Sequence, residues 1–140
     1  MSLFLLFLPF LFFTVSFSPD VCLVSGVFDV WPVSRTPSVN IDNLLGIHSE
    51  ADALRCSPQS LLDAFTGSLP AASVALVWGE YDSPPFHAQA ERFKQTLEGR
   101  GVTVSDHVVK GKDHFNVMED MAKVGDTAGD AFRAAAASKI

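Results

Sequence analysis

The stretch from Val74 to Val109 most constrains what this chain can fold into. It contains two apolar runs, Val74–Trp78 and Val102–Val109, which are typical of buried strands. The segment between them has helical periodicity, with apolar residues at Phe86, Ala90, Phe93 and Leu97 and with Gly99 and Gly101 as a stop. The order strand–helix–strand predicts a crossover between parallel strands. We therefore expect an α/β fold, in which helices cover a parallel sheet.

The rest of the chain extends this prediction. The apolar run Val21–Val24, which ends at Ser25-Gly26, predicts a further buried parallel strand. The proline- and serine-rich residues 31–50 predict a loop with a short helix around Ile41–Leu45, and Ser57-Pro58 predicts a helix start. A last helix is expected from Ala128 to Ser138. Three parallel strands alone would form an incomplete sheet.

Two polar residues follow the two strands of the crossover. Asp82 lies four residues after the run Val74–Trp78, and His114 lies in the loop after Val102–Val109. Taken singly, Asp82 suits a turn and His114 an ordinary loop. Because both follow neighbouring strands, the carboxylate can reach the imidazole Nδ1–H and orient a general base. The joint placement favours a catalytic acid and base.

Other candidates for the acid and the base are weaker. Asp113 adjoins His114, so we expect its carboxylate to point elsewhere. His107 falls within a predicted strand, and His48 falls in the irregular segment. His87 lies close to Asp82 in sequence and could line the acid loop, but its place off the apolar stripe of the helix favours a solvated position.

The sequence contains no nucleophile to complete a triad. No Gly-x-Ser-x-Gly occurs, and Ser25 lacks the glycine two positions before it. No His-Gly-Gly run supplies oxyanion-hole donors. There is also no glycine-rich phosphate loop, no His-Glu-x-x-His and no cysteine–histidine cluster, so we expect neither a cofactor nor a metal.

Four segments of the sequence together carry a family resemblance: Leu23-Val24-Ser25-Gly26-Val27-Phe28-Asp29-Val30, Cys56-Ser57-Pro58-Gln59, Val77-Trp78-Gly79-Glu80-Tyr81-Asp82-Ser83-Pro84-Pro85-Phe86-His87-Ala88-Gln89 and Asp113-His114-Phe115. They resemble kynurenine formamidase (arylformamidase), a family of α/β-hydrolases. The most specific is the acid loop Gly-x-x-Asp-Ser-Pro-x-Phe-His-x-Gln. The resemblance runs roughly from Val21 to Met121 and matches the C-terminal half of the family's proteins.

The resemblance implies a cofactor-free serine hydrolase that converts N-formyl-L-kynurenine into L-kynurenine and formate in tryptophan catabolism. It also implies that Asp82 is the triad acid and His114 the triad base. The parent enzyme would act on a small molecule in the cytoplasm, and a homodimer remains open. Since the nucleophile is absent, we expect this chain to be an inactive fragment. The alternatives are an esterase of another specificity and a non-catalytic hydrolase remnant.

The N-terminal segment Met1–Ser18 contrasts with the hydrolase-like portion, residues 19–140. It contains no charged residue, is rich in Phe and Leu, and is interrupted by Pro9. It is slightly short for a membrane span, and it lacks the basic n-region of a signal peptide. A secretory or anchoring segment, a gene-model artefact and a buried strand all remain open as interpretations. The first would direct the chain to the secretory pathway or to a membrane.

Composition excludes some partners. The formal net charge is −6 and no Lys/Arg cluster occurs, so the chain would repel nucleic acid. The two cysteines, Cys22 and Cys56, have no metal-ligand spacing, and two free thiols are favoured over a disulfide.

Overall fold

The structure is a computed structural model that describes residues 13–17, 20–38, 40–43, 45–69, 73–123 and 125–137. Its strands are β1 (Phe13–Phe17), β2 (Asp20–Val24), β3 (Ser73–Gly79) and β4 (Thr103–Val109). Its α-helices are α1 (Val30–Ser34), α2 (Glu50–Cys56), α3 (Pro58–Ala64), α4 (Pro84–Glu98), α5 (Asn116–Glu119) and α6 (Thr127–Ala137). The α/β class predicted from the sequence is confirmed.

The strands form one sheet in the order β1-β2-β3-β4. β2, β3 and β4 are parallel, with Val21 opposite Val74 and Val77 opposite His107. β1 runs antiparallel to β2, with Phe13 opposite Val24. The described part of the apolar N-terminal segment is therefore a strand, whereas residues 1–12 and 18 of that segment lie outside the described residues.

The two faces of the sheet carry separate apolar clusters, because alternate strand residues face opposite sides. Val74 and Leu76 pack against the buried face of α4, which is formed by Ala90, Phe93 and Leu97. Ala75 and Val77 pack on the other side against residues of α5 and α6, namely Val117, Met118, Ala128, Ala131 and Phe132. Burying a side chain the size of Phe93 contributes about 1.5–3 kcal/mol, so these clusters hold the layers together.

The loop prediction for residues 31–50 is wrong at both ends. Val30–Ser34 forms α1, because Asp29 Oδ1 accepts the Trp31 amide and Ser57 Oγ accepts the Val30 amide, both at 3.0 Å. Pro32 is tolerated because it lies in the first turn, where amides have no helical partner. At the other end, Glu50 begins α2 after the Ser49 cap.

The short helix expected around Ile41–Leu45 is only a 3₁₀ turn, Ile41–Asn43. Asp42 and Asn43 have φ angles of +53° and +51°, which interrupt helical geometry. Within the described residues, no helix is long and apolar enough to cross a bilayer.

Candidate active site

The candidate acid lies in a tight turn at the carboxyl end of β3. The Asp82 amide donates to the Gly79 carbonyl at 3.2 Å, and the Gly79 amide donates to Asp82 Oδ2 at 3.3 Å. The Asp82 side chain is only 2% exposed. Gly79 therefore holds both the backbone and the carboxylate of Asp82.

The candidate base follows β4 and lies directly against this carboxylate. His114 Nδ1 is 3.6 Å from Asp82 Oδ1, and the His114 side chain is 13% exposed. Neither of these two buried atoms has a hydrogen-bond partner. The separation exceeds a normal N–H···O distance of about 2.9 Å by about 0.7 Å, so the two atoms are adjacent but not hydrogen-bonded. Because an unpaired buried polar atom is costly, each is the natural partner of the other.

Two aromatic rings enclose the His114 imidazole. The Phe86 ring, in the first turn of α4, stacks on it at 4.3 Å between centroids and 14° between planes. The Phe115 ring meets it edge-on at 5.6 Å. The stacked Phe86 ring restricts rotation of the imidazole ring.

Backbone contacts join the loop of Asp82 to the loop of His114. The Glu80 amide donates to the Val109 carbonyl at 3.0 Å, and the Tyr81 amide donates to the Lys112 carbonyl at 2.8 Å. The approach is so close that a Cβ built on Gly79 would lie 2.5 Å from the Lys112 oxygen. A glycine is therefore required at this crossing.

Lys112 anchors the His114 loop to the helical layer. Its ammonium donates to Asp120 Oδ2 and Asp126 Oδ2, both at 2.7 Å, and its side chain is 12% exposed. The hydrogen bonds from Lys112 lower the pKa of both carboxyls below 3.8 and raise the pKa of Lys112 above 10.5. The ion cluster thus ties the loop to the residues that flank α5 and α6.

Asp113 serves the loop rather than the base. Its Oδ1 accepts the amides of Phe115 and Asn116, both at 2.9 Å. As expected from the sequence, the Asp113 carboxylate points away from the His114 imidazole and does not take the place of Asp82. His107 is half-buried within β4, where its Nε2 lies 3.2 Å from Ser105 Oγ.

The solvated position expected for His87 is wrong. His87 is half-buried, and its Nε2 lies 3.1 Å from the Gly79 carbonyl oxygen. Since a carbonyl only accepts, Nε2 carries the proton. His87 thus contacts the turn that holds Asp82, a role that its place off the apolar stripe of α4 concealed.

Ser25 Oγ is not hydrogen-bonded to His114. The residue is 5% exposed, and its Oγ has no hydrogen-bond partner. Its φ of +48° is left-handed, and its amide donates to the Val77 carbonyl at 2.8 Å. A buried hydroxyl that is not hydrogen-bonded to an imidazole is not activated as a nucleophile.

The space beside the acid is small. A cavity of about 10 Å³ is lined by Asp82, Phe86, Trp78 and their neighbours. This is room for one water, not for a substrate.

The described residues contain no group of three or more His, Cys, Asp or Glu suited to a metal ion. Cys22 and Cys56 are free thiols. Burial raises the pKa of Cys22 to about 11, so its reactive thiolate form is suppressed.

With this geometry established, comparison with known proteins identifies relatives. The chain is 32% identical over 99 residues to kynurenine formamidase of Danio rerio, which is 71% of this chain and 32% of that protein. It is 30% identical over 97 residues to kynurenine formamidase of Drosophila melanogaster, which is 69% of this chain and 32% of that protein. The chain thus spans about a third of the length of these curated relatives. No protein-family model matches it.

Solved structures agree on the fold. A hyperthermophilic esterase from the archaeon Pyrobaculum calidifontis matches with a TM-score of 0.55 and 19% identity, over 84% of this chain and 40% of that one. A monoclinic form of the Pyrobaculum calidifontis esterase matches with a TM-score of 0.54 and 20% identity, over 84% and 41%. The chain therefore has the α/β-hydrolase fold and is a relative of the kynurenine formamidases, of whose length it spans about a third.

Proposed function

We propose that Asp82 and His114 are the acid and base of a serine-hydrolase triad. In its complete form this site would hydrolyse N-formyl-L-kynurenine to L-kynurenine and formate. The observation that carries the proposal is the 3.6 Å approach of two buried, otherwise unpartnered atoms, His114 Nδ1 and Asp82 Oδ1. The relationship to proteins named kynurenine formamidase supports the formamide substrate.

The proposed chemistry follows from the roles that this geometry allows. Asp82 accepts the Nδ1–H of His114, which leaves Nε2 unprotonated and able to take the proton from a serine hydroxyl. The serine oxygen bonds to the formyl carbon, and the C–N bond breaks as His114 returns the proton to the leaving arylamine. Water then attacks the formyl ester, again through His114, and releases formate. Phe86, stacked on the ring, restricts its rotation during these transfers.

This chain by itself is proposed to be inactive. Its sequence holds neither a Gly-x-Ser-x-Gly elbow nor a His-Gly-Gly oxyanion run. Without both the nucleophile and the oxyanion donors, most of the rate enhancement of such a site is lost. The purified chain should hydrolyse neither N-formyl-L-kynurenine nor p-nitrophenyl acetate above background. Turnover that disappears in Asp82→Asn and His114→Ala would contradict this.

The acid–base roles are tested by supplying the missing part. We would replace the matched segment of the Danio rerio kynurenine formamidase by residues 21–121 of this chain. The chimera should hydrolyse N-formyl-L-kynurenine, and Asp82→Asn should lower kcat by about 10⁴-fold at neutral pH, because it inverts the tautomer of the base. Matched controls are Asp106→Asn and His107→Ala, which change the same residue types on β4 and should leave kcat within about twofold.

The chain alone offers a second test that does not need activity. Nitrogen NMR of the histidine rings reports the tautomer of neutral imidazole. His114 should carry its proton on Nδ1 in the chain and shift to Nε2 in Asp82→Asn. An Nε2–H tautomer in the unmodified chain would overturn the proposed pairing, as would a chimera that keeps full activity in Asp82→Asn.

A further inference from the structure

The first turn of α4 contacts His114 on one side and the turn that holds Asp82 on the other. Phe86 stacks on the His114 ring, and the next residue, His87, bonds to the Gly79 carbonyl in the turn of Asp82. Two prolines, Pro84 and Pro85, begin this helix and fix its first φ angles. A stiff helical turn thus presents adjacent side chains to the base and to the turn of the acid.

Gly79 is the residue through which His87 can act. Its amide donates to Asp82 Oδ2 at 3.3 Å, and its carbonyl accepts both the Asp82 amide at 3.2 Å and His87 Nε2 at 3.1 Å. The carbonyl of the Gly79–Glu80 peptide therefore accepts two hydrogen bonds: one from the Asp82 amide, which closes the turn, and one from His87 in α4. A shift of this peptide would move the Asp82 carboxylate relative to His114.

We propose that His87 is a positioning residue, which holds the Gly79 carbonyl and thereby keeps the Asp82 carboxylate aligned with His114 Nδ1. This inference rests on the proposed function, because alignment matters only if the pair is catalytic. His87 itself does not touch the reacting atoms. It fixes the turn from the helix side, while the contact from the Tyr81 amide to the Lys112 carbonyl fixes it from the side of the base.

Two variants with the same carboxamide group but different side-chain lengths test whether His87 acts through its hydrogen bond to Gly79 or only through packing. In His87→Gln the amide nitrogen takes roughly the place of Nε2 and can still donate to Gly79, whereas in His87→Asn the shorter amide cannot reach. Hydrogen exchange of the Gly79 and Asp82 amides measures the turn directly. We expect exchange to rise about tenfold in His87→Asn and to stay near the original rate in His87→Gln. The Leu76 amide, inside β3, should not change in either variant.

The chimera described above gives the catalytic readout. His87→Asn should lower kcat about tenfold with KM nearly unchanged, and His87→Gln should restore kcat. Equal exchange rates in the two variants would overturn the positioning role, as would a uniform rise that includes Leu76, since that would mean a purely structural role. If Asp82→Asn leaves the His114 tautomer unchanged while the two His87 variants still differ in exchange, the proposed function fails and the hydrogen bond to Gly79 stands.

Discussion

At the scale of single residues, buried polar atoms without a hydrogen-bond partner destabilise the fold. Among the described side chains, four buried atoms have no partner, and three of them follow strands of the parallel sheet: Ser25 Oγ, Asp82 Oδ1 and His114 Nδ1. Leaving such an atom unsatisfied costs about 1–3 kcal/mol. Asp82 and His114 face each other, so for them the cost is offset once a proton bridges the gap. Ser25 has no such compensation.

Ser25 therefore predicts a stabilising substitution. Its left-handed φ of +48° costs a non-glycine residue about 1–2 kcal/mol. Ser25→Gly removes that strain and the unsatisfied hydroxyl, against an entropic cost of about 0.5–1 kcal/mol. We expect the free energy of unfolding in urea to rise by about 1 kcal/mol.

The control for that prediction is Ser25→Ala, which removes the hydroxyl but keeps the backbone strain. Its free energy of unfolding should lie between those of the original chain and Ser25→Gly. A Ser25→Gly variant that is less stable than the original would show that Oγ has a stabilising partner.

At the scale of elements, the Lys112 cluster makes the His114 loop sensitive to acid. The carboxyls of Asp120 and Asp126 have pKa values below 3.8 in the folded chain because Lys112 bonds to both. Carboxyls with a lowered folded pKa stabilise the fold above their unfolded pKa, near 4, and lose this contribution as the pH falls through the folded pKa.

In Lys112→Met, the free energy of unfolding should therefore depend less on pH in the acidic range. Between pH 5 and pH 2, the free energy of unfolding should fall less steeply in Lys112→Met than in the original chain, because each of the two carboxyls loses the hydrogen bond that lowers its pKa most. Urea unfolding at several pH values measures both slopes. Lys94→Met is the matched control, since Lys94 pairs with one carboxylate, Asp106, away from this loop. Identical slopes in the original chain and Lys112→Met would contradict the assignment.

Elements with a local signal could be predicted from sequence. α4 is predicted by the helical spacing of its apolar residues, and β3 is predicted by its continuous apolar run. Both elements are present where expected. α1 had a local signal in Asp29, whose Oδ1 accepts the Trp31 amide, but its start also depends on Ser57, which is 27 residues away along the chain. α2 also had a local signal: Ser49 followed three residues later by Asp52, whose amide donates to Ser49 Oγ at 3.2 Å.

In the candidate site, too, some features could be predicted from the sequence and others depend on tertiary contacts. Asp82 and His114 could be paired because parallel neighbouring strands end at one edge of the sheet. The bond from His87 to Gly79 could not be predicted, since it depends on the rotation of α4 about its own axis relative to β3. The antiparallel addition of Phe13–Phe17 to the sheet likewise depends on tertiary pairing, because apolar content does not distinguish a strand from a targeting segment.

At the scale of the whole molecule, the end of β3 packs tightly against the loop that carries His114. Gly79→Ala would place a methyl group 2.5 Å from the Lys112 carbonyl oxygen, so the two loops would have to separate. We expect a loss of about 2 kcal/mol in the free energy of unfolding, typical of overpacking. The His114 ring should also lose its Nδ1–H tautomer by NMR.

The comparison for this variant is Gly99→Ala at the end of α4. There φ is −61°, so a methyl group causes no backbone strain. The atom nearest to this methyl group would be the Gln95 carbonyl oxygen, at 3.2 Å. Stability should change by less than about 1 kcal/mol, and the His114 tautomer should be unaffected. If Gly79→Ala behaves like Gly99→Ala, the crossing at Gly79 is not tight.

The crossing at Gly79 also has a genetic consequence. Every missense change in a glycine codon introduces a side chain, and at this position any side chain begins with an atom that would lie 2.5 Å from the Lys112 carbonyl oxygen. The chemical nature of the new residue is then secondary, and alanine should be nearly as harmful as aspartate or arginine. A variant at this codon should therefore be classed by the presence of a β-carbon, whereas conservative-substitution scores would rank alanine as mild.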